Sequence, residues 1–241
     1  MLIFVCGAVR CAGQANERSI ILDVKTTNQD DTMTTIRASK DYNISTYPQS
    51  EEFTSSAACA MMVLKHLKKG YKPNKKDEFK IWQEAVMGSV WHGSKYGLAY
   101  ALKKRGLNVD IFSNNTKDEG YERKLAVYEG VNLDTLKASF DEVKAKVKEA
   151  KIKETNTQVT INVIKREMSK GKIPIVLVNA NAINPYLNPA PHWVVIKGYD
   201  KDAFYINDPY SDSTITIEYD AFKAALGYDN EGHMLGVSAK R

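Results

Sequence analysis

The sequence predicts an α+β fold, in which an N-terminal helical part packs on a C-terminal antiparallel β-sheet. Two observations indicate this class. Helical segments that end at glycine or proline dominate residues 54–171, whereas short strands dominate the chain from Pro191 onward. Helices and strands segregated in this way are typical of α+β domains. We expect residues 1–43 to form a strand-rich extension that packs on this domain, which spans residues 44–241.

The first predicted helix, at residues 57–69, is the element around which the domain is organised. Hydroxyl residues at 54–56 precede it and can accept hydrogen bonds from its first N–H groups. Gly70 ends it, and lysines in its last turns complement the helix dipole. This helix start is also a place where an enzyme would hold a nucleophile.

The remaining elements follow from apolar periodicity and from glycine and proline breaks. In chain order they are a helix at residues 77–86 capped by Asp77, a loop at 87–94, a helix at 95–105, a strand at 107–112, a lysine-rich helix at 133–152, a helix at about 160–169 capped by Thr160, strands at 173–178, 193–199, 203–207 and 214–217, a short helix at 221–226 and a strand at 233–237. The lysines of the long helix indicate a solvated surface.

The composition excludes several classes of protein. Of 241 residues 43% are hydrophobic, which suffices for an ordinary core. The 34 Lys and Arg exceed the 29 Asp and Glu by only 5, and basic residues do not alternate with aromatic ones, so we expect no nucleic-acid partner. The three cysteines lack a C-x-x-C spacing, so no disulfide framework or zinc site is indicated, and we expect no metal and no cofactor.

The apolar start of the chain is predicted to be a buried strand. No basic residue precedes residues 1–9, and Arg10 follows directly, which does not fit a secretory signal. No run reaches the roughly 18 apolar residues that a membrane span needs. We therefore expect a cytoplasmic protein without a membrane span.

His192 and Asp208 are the strongest candidates for a catalytic pair. His192 begins one predicted strand, and Asp208 ends the next one, immediately before Pro209. With a hairpin turn over residues 200–202, the numbers of opposed residues sum to about 402, and diagonal neighbours on one face are about 7–8 Å apart. Asp208 can therefore reach the imidazole, which would fix its tautomer and favour its charged form.

A base and its orienting carboxylate also need a nucleophile and an oxyanion hole to break an acyl bond. The predicted helix start at residues 54–56 offers backbone N–H groups for a developing oxyanion. The side-chain amide of Gln49 lies on the loop before it. These groups complete the outline of a hydrolase site.

Five stretches together resemble the bacteriocin-processing (double-glycine leader) cysteine peptidase-like family, which belongs to the papain-like superfamily. They are the Gln49 loop, FTSSAACAMMVL, MGSVWHGSKYGLAYALKKRG, APHWVVIKGYD and YINDPY. The resemblance covers roughly residues 44–240 and implies a papain-like cysteine-peptidase fold that acts on a peptide or protein substrate. It also implies that Gln49 donates to the oxyanion, that His192 is the base and that Asp208 orients His192.

One position departs from the family's pattern. The family's Cys-Gly-Pro-Ala helix start places its nucleophilic cysteine on Ser55. A serine cannot form the thiolate–imidazolium pair on which papain-like catalysis depends. Three interpretations stay open: the chain is inactive as a peptidase, the serine replaces a natural cysteine, or the site uses Ser–His–Asp chemistry. A helix cap is the structural alternative for Ser55.

Other candidates have structural alternatives as well. Cys59 is predicted to be core, because a nucleophile about 6 Å further along the helix would leave the N-terminal N–H groups. Trp91, His92 and Trp193 are predicted to line a substrate groove, although core packing is the common fate of tryptophan. We expect His66 to be a helix C-terminal cation and His233 to be an ordinary strand residue.

The sequence therefore predicts a papain-like peptidase or amide hydrolase whose activity depends on residue 55. The alternative is a catalytically inactive protein that binds a peptide in the same cleft.

Overall fold

The computed structural model describes residues 39–87, 92–116 and 132–240. The predicted N-terminal extension lies outside this part of the chain except for its last five residues, and Trp91 lies outside it as well. The helices are α1 (Ser55–Leu67), α2 (Lys75–Ala85), α3 (Lys95–Lys104), α4 (Leu133–Glu149), α5 (Ile161–Ser169), α6 (Ala180–Ile183) and α7 (Tyr219–Ala225). The strands are β1 (Lys40–Asp41), β2 (Leu107–Ser113), β3 (Lys153–Asn156), β4 (Ile173–Asn179), β5 (Pro191–Tyr199), β6 (Ala203–Asp208), β7 (Ser213–Glu218) and β8 (His233–Ala239).

The strands form one sheet in the order β3-β2-β8-β4-β5-β6-β7, and β1 pairs with β5. Neighbours are antiparallel except for β2 and β3. The predicted hairpin register is confirmed, because Val195 faces Asn207 and Ile196 faces Ile206 before a bulge shifts the pairing. This register places the start of β5 beside the end of β6.

The sheet has an apolar cluster on each face. Alternate residues of β4 divide between them: Ile175 belongs to the cluster that contains α1, whereas Val176 belongs to the cluster that contains α5. Residues 55–64 of α1 are all buried, since α1 packs against β5 on one side and against α2 and α3 on the other. Helices pack on a large, mainly antiparallel sheet, so the predicted α+β class is confirmed.

Two predicted helix caps are wrong. Asn74, and not Asp77, caps α2, because its side chain accepts from the Asp77 N–H at 3.0 Å. Thr54 occupies the N-cap position of α1, but its side chain makes no capping hydrogen bond. The Thr54 hydroxyl is instead 2.6 Å from a Glu78 carboxylate oxygen, so the start of α1 is held by a neighbouring helix.

Within the described residues, none of the helices combines the length and the apolar composition that a membrane crossing requires.

Candidate active site

His192 and Asp208 form a buried hydrogen-bonded pair. Nε2 of His192 lies 2.7 Å from Oδ1 of Asp208, and the two residues are 5% and 1% exposed. The Asp208 carboxylate also accepts from the N–H groups of Tyr210 at 3.0 Å and Ser211 at 3.3 Å. The pairing expected from the hairpin register is therefore present.

The environment of Asp208 keeps its carboxylate ionised. Burial alone would raise the pKa of Asp208, but the hydrogen bond and the charge of His192, together with the Tyr210 N–H and Ser211, lower it below the usual value. An ionised carboxylate can only accept, so Nε2 of His192 carries the proton. Nδ1 is then the ring nitrogen that is not bonded to Asp208.

Ser55 lies at the first position of α1 and contacts the backbone of β5 directly after His192. Its hydroxyl oxygen accepts from the backbone N–H of Trp193, the residue after His192, at 3.4 Å. Ser55 is the first helical residue, and Thr54 is the N-cap, so the interpretation of Ser55 as the helix cap is wrong. The first intrahelical bond runs from Ala58 to Thr54, and the N–H groups before it have no intrahelical acceptor.

The Gln49 loop is attached to the turn that follows Asp208. The Gln49 backbone N–H donates to the carbonyl oxygen of Pro209 at 2.9 Å. The side-chain Nε2 donates to the carbonyl oxygens of Glu51 at 2.9 Å and Glu52 at 3.1 Å. Both amide protons are thus engaged, and the side chain would have to rotate before it could donate to an oxyanion. Its Oε1 is buried and has no hydrogen-bond partner among the described residues.

Trp193 and His92, which were predicted to line a substrate groove, differ in their burial. Trp193 is 2% exposed and belongs to the core cluster on the α1 face, and its Nε1 donates to the carbonyl oxygen of Gly93 at 3.0 Å. Trp193 therefore supports the loop at Gly93 from within the core rather than offering a surface to a substrate. His92, beside Gly93, is half-buried, and burial lowers its pKa, so His92 is neutral near pH 7.

Gly93 packs directly on the start of α1. A Cβ atom placed on Gly93 would lie 2.2 Å from Oγ and 2.6 Å from Cβ of Ser56, closer than atoms can approach. Ser56 is completely buried, and its hydroxyl has no hydrogen-bond partner among the described residues. Gly93, in the loop before α3, therefore packs tightly against the first turn of α1.

Cys59 is a core residue, as expected. It is 0% exposed, and its Sγ donates to the carbonyl oxygen of Trp193 at 3.1 Å. Burial, and secondly the negative charge of Asp208, hold the pKa of the thiol well above its usual value. Ser55 and Cys59 thus bind the N–H and the C=O of the same residue of β5, Trp193. Cys59 has neither the exposure nor the acidity of a nucleophile.

Glu78 contacts the segment between Gln49 and Ser55 and was not predicted from the sequence. It is completely buried on α2, and its carboxylate accepts hydrogen bonds from the segment between residues 47 and 54. The sequence around it, KKDEFK, has the composition of a solvated helix start. Only its contacts with a distant part of the chain distinguish Glu78.

A second serine–histidine–acid arrangement lies elsewhere in the domain. His233, predicted to be an ordinary strand residue, has Nδ1 3.0 Å from the Ser113 hydroxyl and Nε2 3.2 Å from a Glu231 carboxylate oxygen. Ser113 is 0% exposed, and its hydroxyl also accepts from Lys95 Nζ at 3.0 Å and from the Asn115 N–H at 3.1 Å. No substrate carbonyl can reach this hydroxyl, so the arrangement is a structural network.

The chain is similar to known proteins in sequence and in fold. A family model described as Peptidase C39-like matches residues 44–237. A solved double glycine motif protease from an AMS/PCAT transporter, in complex with the leader peptide, shares 15% identity, with 82% of this chain and 94% of that chain covered and a TM-score of 0.44. A putative C39-like peptidase from Bacillus anthracis shares 14% identity, with 85% and 100% covered and a TM-score of 0.49.

Proposed function

Because the chain belongs to the Peptidase C39-like family, we propose that the region around Ser55, His192 and Asp208 is a peptidase or amide-hydrolase site with position 55 as the nucleophile. His192 is the base, and Asp208 orients it. The observation that carries the proposal is the buried 2.7 Å bond between His192 and Asp208 beside the Ser55 hydroxyl. A histidine oriented by a carboxylate next to a helix start is the arrangement that nucleophilic acyl transfer needs.

The roles follow from the chemistry of each group. Asp208 holds the proton on Nε2 of His192, so Nδ1 is free of it and can take the proton of the nucleophile. The nucleophile then attacks the peptide carbonyl carbon, and the N–H groups at the start of α1 face the developing oxyanion. Nδ1 returns its proton to the leaving amine, and water hydrolyses the acyl-enzyme by the same route.

The serine at position 55 limits the first step of this reaction, which is the transfer of the nucleophile's proton to His192. A cysteine at this position would transfer its proton to His192 before attack, whereas a serine hydroxyl is far too weakly acidic for that ion pair. The side-chain amide of Gln49 already donates to the Glu51 and Glu52 carbonyl oxygens. In this arrangement it does not serve as a hydrogen-bond donor for an oxyanion. These two observations support the second candidate, an inactive relative that binds a peptide or protein segment at this site without cleaving it.

The decisive experiment restores the thiol. In Ser55→Cys, we expect iodoacetamide to alkylate the introduced thiol at about pH 5.5 roughly 100-fold faster than an ordinary thiol, which is almost entirely protonated there. His192→Ala in the same background should abolish the advantage, and buried Cys59 is an internal control, with the label located by peptide mass mapping. Cleavage of a peptide library by the restored chain identifies the bond.

The outcomes separate the candidates. A fast thiol that depends on His192 supports the hydrolase site. An ordinary thiol in a folded chain, together with peptide binding, favours the inactive binding protein. Labelling of Ser55 in the unchanged chain by a fluorophosphonate would instead show that serine itself is the nucleophile.

A further inference from the structure

Glu78 is a buried carboxylate, and its hydrogen-bond donors among the described residues come from the segment before α1. Oε1 accepts from the Ser50 N–H at 2.7 Å and from the Thr54 hydroxyl at 2.6 Å. Oε2 accepts from the Ser50 hydroxyl at 2.6 Å and from the Tyr47 hydroxyl at 3.1 Å. Four donors from three residues therefore converge on one side chain of α2.

The donors compensate for the burial of a charge. A carboxylate removed from water is destabilising unless its oxygens are well hydrogen-bonded. No cation is among these four donors, and the three bonds of 2.6–2.7 Å have the short lengths of bonds to a charged acceptor. Burial, and then the negative charge of Glu78, raise the pKa of Tyr47 to about 12, so Tyr47 stays a donor at physiological pH.

The bonded residues stand next to the two groups that the proposed reaction needs. Ser50 directly follows Gln49, and Thr54 directly precedes Ser55. The Gln49 N–H is in turn bound to the Pro209 carbonyl oxygen at 2.9 Å, next to Asp208. Glu78 thus holds both ends of the segment that separates Gln49 from position 55.

We propose that Glu78 is a positioning residue, which acts through Ser50 and Thr54 to hold the Gln49 loop and the tip of α1 in register with His192 and Asp208. In the described part of the chain, the hydrogen bonds of Glu78 go to Tyr47, Ser50 and Thr54, so Glu78 acts through these residues. The inference rests on the proposed function, because that function assigns Gln49 and position 55 their roles.

Glu78→Met removes every acceptor and keeps the length of the side chain. The donors of Ser50, Thr54 and Tyr47 stay in place without their shared acceptor, and buried donors left in this way are destabilising. We therefore expect a melting temperature below that of the unchanged chain. Hydrogen exchange of the backbone amides of Gln49 and Ser50, measured by NMR, should accelerate about tenfold or more. The Ser50 N–H loses its acceptor on Glu78, and Gln49 is the residue next to it.

Two variants provide controls. Glu78→Gln keeps one oxygen for the Ser50 N–H, and the Ser50 and Tyr47 hydroxyls can rotate to accept from its amide, so exchange should stay within about threefold of the unchanged chain. Glu84→Gln alters the same helix, where Glu84 pairs with Lys104 and Arg105 and is remote from these donors. It should leave exchange at Gln49 and Ser50 unchanged.

A second measurement tests positioning rather than rigidity. In the Ser55→Cys background, Glu78→Met should move the pH profile for alkylation of the introduced thiol toward higher pH, because the thiol leaves its place beside His192. Loss of rigidity alone would not move that midpoint. If Ser55→Cys shows no activated thiol, the proposed function fails, and hydrogen exchange in the unchanged background still decides the role of Glu78.

Three results would overturn the inference: unchanged exchange at Gln49 and Ser50 in Glu78→Met, equal acceleration throughout α1 and α2, or an activated thiol whose pH profile does not move. Should Glu78→Met fail to fold, Thr54→Val removes one donor isosterically. It should then accelerate exchange at Ser50, and an unchanged rate would contradict the proposal.

Discussion

Nε2 of His192 and Oδ1 of Asp208 are 2.7 Å apart where β5 begins and β6 ends, and both side chains are almost completely removed from water. Their contact depends on the register of one hairpin. Through this contact Asp208 orients the imidazole ring of His192. Asp208 also makes the stability of the fold depend on pH, because a pKa that differs between the folded and unfolded states links folding to proton binding.

Asp208→Asn should lower the free energy of unfolding by about 1–3 kcal/mol at pH 7, because a buried bond to a charged group is lost. The pKa of Asp208 is lowered in the folded state. Its contribution is therefore fully present above the unfolded pKa of about 3.9 and is lost as the pH falls through the lower folded value. Urea denaturation from pH 7 to pH 3 should show the two chains converging at the acid end.

Asp141→Asn is the matched control, since Asp141 is exposed on α4. It should change the free energy of unfolding by less than about 0.5 kcal/mol. A gap between the unchanged chain and Asp208→Asn that stays constant down to pH 3 would show that Asp208 is not held ionised by His192.

Cys59 should resist alkylation in the folded chain. Burial and the charge of Asp208 raise its pKa, so almost no thiolate forms at pH 8, and reagents have no path to a 0% exposed side chain. Peptide mass mapping after iodoacetamide treatment should find Cys59 unlabelled until urea unfolds the chain. Rapid native labelling at Cys59 would contradict its placement in the core.

Local sequence rules were enough to predict the His192–Asp208 pair. A short turn fixes the register of a hairpin, and the register fixes which side chains meet. The start of α1 was also predictable within two residues, because its apolar run is long and begins after a polar loop.

Contacts between distant parts of the chain were not predictable in this way. Glu78 lies 24 to 31 residues from its donors, and Ser113 lies 120 residues from His233. Nothing in a single stretch shows that a glutamate in a charged helix start will be buried. The orientation of the Gln49 amide depends likewise on where the Glu51 and Glu52 carbonyls point, which the backbone conformation decides.

Gly93→Ala should destabilise the fold by about 1–3 kcal/mol, because the new methyl group would collide with Ser56 at the tip of α1. Ser56→Gly removes the atoms that it would meet. The double variant should therefore be more stable than the sum of the two single changes predicts, a coupling that thermal unfolding of all four chains measures.

Gly232→Ala is the control for the effect of alanine itself, since a Cβ there would meet its nearest neighbour, in Val159, at an ordinary 3.7 Å. It should cost little. If the stability changes of Gly93→Ala and Ser56→Gly simply add in the double variant, the loop at Gly93 must move away from α1 and avoid the collision.

Glu167 is the third buried acid with a defined structural consequence. It is 1% exposed at the end of α5, and its oxygens lie 2.6 Å from Lys170 Nζ, 2.7 Å from Lys172 Nζ and 3.2 Å from Arg166 Nε. Burial opposes ionisation, but the bonds from Lys170 and Lys172 outweigh it and lower the pKa of Glu167 to about 2. Lys172 also binds Asp110 at 2.6 Å, so the cluster ties α5 to β2.

Glu167→Gln should lower the free energy of unfolding at pH 7 by about 1–3 kcal/mol, a modest loss because the three cations keep access to water. The contribution of Glu167 is present above the unfolded pKa of about 4.3 and is lost as the pH falls toward the folded value of about 2. Glu142→Gln breaks an exposed pair with Lys146 and should cost at most about 0.5 kcal/mol. Urea denaturation at pH 7, 4 and 2.5 should show the Glu167→Gln deficit shrinking with acid while Glu142→Gln stays close to the unchanged chain. A deficit that is the same at all three values would mean that the side chain acts through its packing, not through its charge.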